Sequence, residues 1–253
     1  MPFDIDYYLS EFEDNITFLD LSNKHLKILP DLSRFTHLRR LDCQFNRLIH
    51  LQHLPISLIV LNCSHNRLIQ LPELPPKLRK LYCSNNQLID LPNIYHTPLR
   101  DLNCSFNDLT QLPELNLQLK KLDCSFNNIT SIPNLPQSLQ FLLCDNNELY
   151  ALPLLPESLK DIVMYENPIS DIFYENMLYN DNIESVRPIA KILYNFKHMY
   201  YSLKFKNKFR KILWEKIREP RIKNQYSPEN LQDILNRVGE CDDVQLYQTI
   251  NNW

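Results

Sequence analysis

Residues 122–139 read LDCSFNNITSIPNLPQSL: a leucine, a cysteine two residues on, an asparagine three further, then a return through Ile-Pro and Leu-Pro steps. Leu122 and Cys124 flank Asp123 in the period-two alternation of a strand with one buried face. Nearly the same phrase recurs along the chain. With Leu38, Leu58, Leu78, Leu99, Leu119, Leu139 and Leu159 as marks, the steps are 20, 20, 21, 20, 20 and 20 residues. A weaker first unit starts near Ile16, with Leu19, Leu21, Leu26 and Leu29 in the matching columns but Lys24 in place of the asparagine, which makes about eight units. A strand of about three residues cannot bury its own face, but parallel strands stacked at about 4.8 Å share a continuous core, so eight units span on the order of 35 Å.

Aligned, the units read L-x-x-L-x-C-x-x-N-x-L-x-x-L-P-x-L-P-x-S. This pattern resembles the leucine-rich repeat, in the short 20-residue form with a Leu-Pro-x-Leu-Pro return found in bacterial type III effectors. The resemblance covers residues 16–170. It implies a solenoid with parallel strands on the concave face and an extended, polyproline-like convex face. The residues support that path independently. Proline fixes φ and restricts the residue before it, so the return segment carries the chain back without a helix. Of 17 prolines, 13 lie between Pro30 and Pro168, in a chain with one glycine.

Six of the seven cysteines, Cys43, Cys63, Cys83, Cys104, Cys124 and Cys144, fill one column, shared with Leu21 and Met164. The column calls for a small apolar residue pointing inward, which free cysteine satisfies. Without a C-x-x-C pair, disulfide and metal readings lose ground. Asn46, Asn66, Asn86, Asn107, Asn127, Asn147 and Asn167 form a second column, where an amide can satisfy backbone groups of the turn after each strand.

A partner must then use the outward positions. Tyr82, Asn103 and Asp123 lie between the second leucine and the cysteine, in a column with Asp42 and Asn62. Two residues after the cysteine come Phe45, His65, Phe106 and Phe126, either an apolar stripe that binds a partner or rings that fold over one another and cap the edge. Just after the first leucine run Arg39, Arg40, Arg79, Lys80, Arg100, Lys120, Lys121 and Lys160. These cations either pair with Asp42, Asp101, Asp123 and Asp161 on a solvated face or meet an acidic partner.

After Asn167 the spacing turns helical. Ile172, Phe173, Met177 and Leu178 predict one helix; Ile189, Ile192, Leu193, Phe196, Met199 and Tyr200 predict a second beginning near Pro188; Ser227, Pro228 and Gly239 frame a third. The predicted organisation is an N-terminal cap over 1–15, the solenoid over 16–170, and a small helical basic domain or cap over 171–253. Residues 185–225 hold twelve Lys or Arg against Glu215 and Glu219. Lys204, Lys206, Lys208 and Arg210 alternate with aromatics there, as nucleic-acid or anionic-lipid contacts would, or as the solvated face of a basic helix does. Residues 213–235, with Trp214, the Arg218-Glu219-Pro220 turn and Tyr226-x-Pro228-x-x-Leu231, are similar to a tail found in proteins of mimivirus-like giant DNA viruses.

The net charge of −3 gives no general polyanion binder. The acidic N-terminus lacks a secretory signal, and no apolar run reaches the roughly 18 residues of a membrane span, so the protein is expected inside a cell, in the cytoplasm of an infected host or in a virion. Phosphate-loop, nucleophile-elbow and H-E-x-x-H motifs are absent, and the seven histidines form no ligand set. The expectation is a non-enzymatic scaffold without cofactor or metal that binds a protein partner. The effector resemblance implies one enzymatic alternative, a ubiquitin ligase with Cys241 as the acceptor in Cys241-Asp242-Asp243, although too little chain follows the repeats for that domain.

Overall fold

The computed structural model describes residues 4–52, 54–170, 183–184 and 186–195. The chain divides into two compact units, Met1–Asn195 and Phe196–Trp253. Ile172, Phe173, Met177, Leu178, Phe196, Met199, Tyr200, Lys204, Lys206, Lys208, Arg210, Cys241 and the helix expected over 227–239 lie outside the described residues.

Each repeat contributes one three-residue strand: β1 Phe18–Asp20, β2 Arg40–Asp42, β3 Val60–Asn62, β4 Lys80–Tyr82, β5 Asp101–Asn103, β6 Lys121–Asp123, β7 Phe141–Leu143 and β8 Asp161–Val163. They form one parallel sheet in chain order, with Leu19, Leu41, Leu61, Leu81, Leu102, Leu122, Leu142 and Ile162 in register. The 20-residue period sets this register. A slip of one residue would turn every central leucine outward. Those leucines, the marker leucines and the cysteines are buried in one continuous core, each aliphatic side chain contributing about 1.5–3 kcal/mol by leaving water.

The cysteine column is interior and reduced, with all six side chains fully buried and unlinked. Each sulfur sits one rung from the next, and four of the thiols donate to the carbonyl that already takes their own amide. Cys104 Sγ lies 3.4 Å, and Cys104 N 2.8 Å, from the Asp123 oxygen.

The asparagine column ties rungs together. Asn107 Nδ2 donates to Cys83 O at 3.1 Å, Cys104 O at 3.0 Å and Ser105 O at 3.1 Å, while its Oδ1 accepts from Leu88 N at 3.0 Å. The same pattern repeats at Asn66, Asn86, Asn127, Asn147 and Asn167. Asn46 of the second unit accepts the Lys24 and Leu26 amides of the first, so Lys24 supplies its backbone where it lacks the side chain.

On the return path, Pro55, Pro75, Pro136 and Pro156 accept the amide three residues on, closing a turn before each marker leucine. Ser57, Ser138 and Ser158 then donate to the marker leucine of the preceding rung at 2.6–2.7 Å. Asn116 occupies the proline position of its unit. Its Oδ1 accepts from Gln118 N at 2.9 Å, but its buried Nδ2 has no partner.

Both ends of the stack are covered. Helix α1, Ile5–Ser10, starts at an Asp4 cap whose carboxylate accepts from Tyr7 N. It buries Leu9, Tyr8 Oη donates to Asp20 O of β1 at 3.0 Å, and Arg34 donates to Leu9 O. At the far end residues 183–184 and 186–195 are helical, with Ile183, Val186 and Ala190 buried. Arg187 there donates to Pro156 O at 2.8 Å and Leu159 O at 3.1 Å. Helical residues begin at Ile183, ahead of the start expected near Pro188. Ile189 and Leu193 pack on the core as expected, whereas Ile192 is 66% exposed and leaves that face.

Candidate partner-binding face

Three residues per strand leave two side chains facing outward, and the backbone before and after each strand adds one column on either side. Register places Tyr82, Asn103 and Asp123 beside one another on β4, β5 and β6. Asn103 and Asp123 are held in place, accepting from Ser105 Oγ at 2.7 Å and Ser125 Oγ at 2.6 Å. Asp42 departs from the outward reading. It is only 7% exposed, lies 3.8 Å from Arg40, and accepts from Gln44 and Asn62 amides.

The column two residues after the cysteine adopts a conformation that the residue types conceal. Phe45, His65, Asn85, Phe106, Phe126, Asn146 and Glu166 all have φ between 49° and 55°. That left-handed region normally favours glycine or asparagine and costs other residues about 1–2 kcal/mol. The solenoid imposes it, because the chain must turn sharply right after the strand to bring the next asparagine inward. Ladder bonds hold the turn: Phe106 N donates to Ser125 O at 3.0 Å and its carbonyl accepts from Asn86 N at 3.1 Å.

The rings both stack and remain in solvent. Phe106 and Phe126 lie 4.1 Å apart at 9°, and Phe45 and His65 lie 4.2 Å apart at 13°. Asn85 separates the two pairs. Phe45, Phe106 and Phe126 are still 41–46% exposed, so edge packing and an available apolar surface coexist.

On the other side of the strands the two cation columns differ. In the column inside the strands, Lys80 pairs with Asp101 at 2.9 Å, and that hydrogen bond raises the Lys80 ammonium above its ordinary pKa. Arg40 lies over Phe18, and Lys121 over Phe141, each 5.1 Å from the ring centre. The column just before the strands, Arg39, Arg79, Arg100, Lys120 and Lys160, is exposed and makes no ion pair among the described residues. Asp123 and Asp161 do not answer these cations. Backbone bonds set the column's spacing, Arg100 N to Arg79 O at 2.7 Å and Lys120 N to Arg100 O at 2.8 Å.

A third outward column lies beyond those expected from the sequence. Ile49, Ile69 and Ile89, one residue past the leucine that follows each asparagine, are 44–65% exposed on consecutive rungs. Their recurrence after a core leucine was the available signal.

The thiols offer no chemistry. Burial pushes all six well above a free thiol, Cys83 to about 12, and each lacks a solvent path. Among the described residues no group of three or more His, Cys, Asp or Glu could hold a metal ion, and no helix is long and apolar enough to cross a membrane.

The family model for the Leucine Rich Repeat matches residues 118–139, one unit of the stack. No curated protein sequence matches the chain. Among solved structures, YopM from Yersinia enterocolitica is 38% identical over 60% of this chain, with a TM-score of 0.58. The match spans only 34% of YopM's own length. A Shigella effector leucine-rich repeat domain is 26% identical over 70% of this chain and 81% of its own, with a TM-score of 0.56. The functional domain of InlJ from Listeria monocytogenes, which includes a cysteine ladder, is 27% identical over 60% of this chain and 34% of its own, with a TM-score of 0.52. The 20-residue period, the in-register parallel strands and the inward cysteine and asparagine columns make this stack a leucine-rich-repeat solenoid, similar to the effector repeats of Yersinia and Shigella.

Proposed function

We propose that the chain is a non-enzymatic scaffold that binds a protein partner through the concave strand face. The observation carrying this reading is the exposed aromatic column, Phe45 with His65 and Phe106 with Phe126, held by ladder bonds in a left-handed turn that the interior does not need phenylalanine to make. Asparagine serves the same turn at Asn85 and Asn146, so the rings answer to something other than the fold. Tyr82, Asn103, Asp123, Arg79, Arg100 and Lys120 complete the surface between them. Leucine-rich repeat proteins generally act by binding other proteins, and the Yersinia and Shigella relatives are effectors. A role for this chain on host or virion components of a giant virus is part of the same proposal.

Capture from cell extract on the immobilised full chain tests it. The expected result is a protein retained by the wild type and by Ile49→Ser/Ile69→Ser/Ile89→Ser, but lost with Phe45→Asn/Phe106→Asn/Phe126→Asn, which keeps a residue the left-handed turn tolerates. Retention indifferent to the phenylalanines overturns the assignment.

A further inference from the structure

Resting on that reading, we propose that the strand face of β4, β5 and β6 takes an amphipathic helix of the partner, acidic along one flank and apolar along the other. The two rims of the face differ in chemistry. Arg79, Arg100 and Lys120 stand on three consecutive rungs, exposed and without carboxylate partners among the described residues. Phe106 and Phe126 stand stacked and exposed on the opposite rim. Arg100 and Phe106 are six residues apart, with the strand between them and Phe106 in the left-handed turn, so the rims lie at most about 20 Å apart, a limit that admits one helix of about 10–12 Å diameter and not two.

Spacing then separates helix from strand. Two rung steps from Arg79 to Lys120 cover about 9.6 Å, and two helical turns cover about 10.8 Å, so carboxylates at i, i+4 and i+7 can each face a cation within the reach of its long side chain. Side chains on one face of an extended segment repeat at about 6.7 Å and fall out of step by about 4 Å over the same run.

The floor between the rims argues against nucleic acid. Asp101 and Asp123 sit there with Asn103; Lys80 answers Asp101, but Asp123 pairs with no cation among the described residues. The Asp123 carboxylate would repel a phosphate backbone, which carries a charge at every nucleotide. Stacking Phe106 on Phe126 also uses ring faces that bases would need. A helix presents carboxylates on one flank only and can keep neutral or basic residues over the floor.

Fluorescence anisotropy on the full chain tests the proposal with three labelled probes. One is a helical peptide with glutamates at i, i+4 and i+7 on one flank and leucines on the other; the second has the same composition with glutamate and leucine alternating; the third is a thymidine oligonucleotide of equal charge. The helical peptide is expected to bind tightest. Arg79→Gln/Arg100→Gln/Lys120→Gln should weaken it by about fivefold or more, from three surface pairs of a few tenths to 1 kcal/mol each. The control Arg47→Gln/Arg67→Gln/Lys77→Gln removes as many exposed cations elsewhere on the solenoid and should leave binding unchanged. The basic stretch 185–225 is common to both variants, so it cancels from the comparison. Equal losses in the two variants, tighter binding of the alternating peptide, or tighter binding of the oligonucleotide would each overturn the proposal. If these arms fail while a captured partner still depends on Phe45, Phe106 and Phe126, the helix is wrong and the interaction face stands. If capture ignores the phenylalanines, the interaction face itself is wrong.

Discussion

The interior columns and the face columns of the solenoid obey different rules. Inside, leucine, cysteine and asparagine recur on nearly every rung because each rung offers the same cavity and the same orphan backbone groups. On the face the residues change from rung to rung: Lys80 meets Asp101, Phe106 meets Phe126, and Asn85 stands between the two aromatic pairs. Repetition therefore marks what the stack needs in order to stand, and irregularity marks where the stack is free to be used.

The largest expected effect sits on the interior side. Burial raises the folded pKa of all six thiols, so stability is complete below the unfolded value near 9 and is lost as pH rises toward the folded values, about 12 for Cys83. Over that window the unfolded chain releases protons that the folded chain keeps, at about 1.4 kcal/mol per pH unit for each thiol. Urea midpoints should fall steeply between pH 9 and 12. Cys104→Ala should make that limb shallower by one thiol's share, and an unchanged slope would break the interior assignment.

Asn107→Ala comes next. It leaves the buried Leu88 amide without its acceptor and takes one of two donors from the Cys83, Cys104 and Ser105 carbonyls, which keep Asn86 Nδ2, Asn127 Nδ2 and Asn85 N, for a loss of about 2–3 kcal/mol in chemical denaturation. Asn103→Ala, on the outward face of the same rung, should cost about 1 kcal/mol or less. Similar values for the two would erase the distinction between column types.

Phe106 sharpens the comparison because it belongs to both sides, a surface ring on an imposed backbone. Phe106→Val places a β-branched residue at φ 54° and should cost about 1–2 kcal/mol in thermal unfolding. Phe106→Asn should change stability by less than about 1 kcal/mol, since relief of strain offsets the lost ring contact. The smallest expected effect is a gain. Asn116→Pro restores the residue found at Pro55, Pro75, Pro136 and Pro156 and removes the orphaned Nδ2, which should raise stability by about 1 kcal/mol.

The chain by itself determined the period, the strand of each unit, the inward cysteines and the asparagine ties, because each follows from residue types recurring at fixed spacing against an identical neighbour. Reading ran out where an effect depends on neighbouring rungs. Nothing in phenylalanine announces a left-handed turn; the ladder bonds of adjacent rungs impose it. Nothing in Asp42 announces burial; the Gln44 and Asn62 amides and Arg40 enclose it. Which cations are neutralised was likewise decided by the tertiary structure, since Lys80 and Lys121 share a column and both lie beside Asp101 in register, yet Asp101 pairs with Lys80 while Lys121 lies over Phe141.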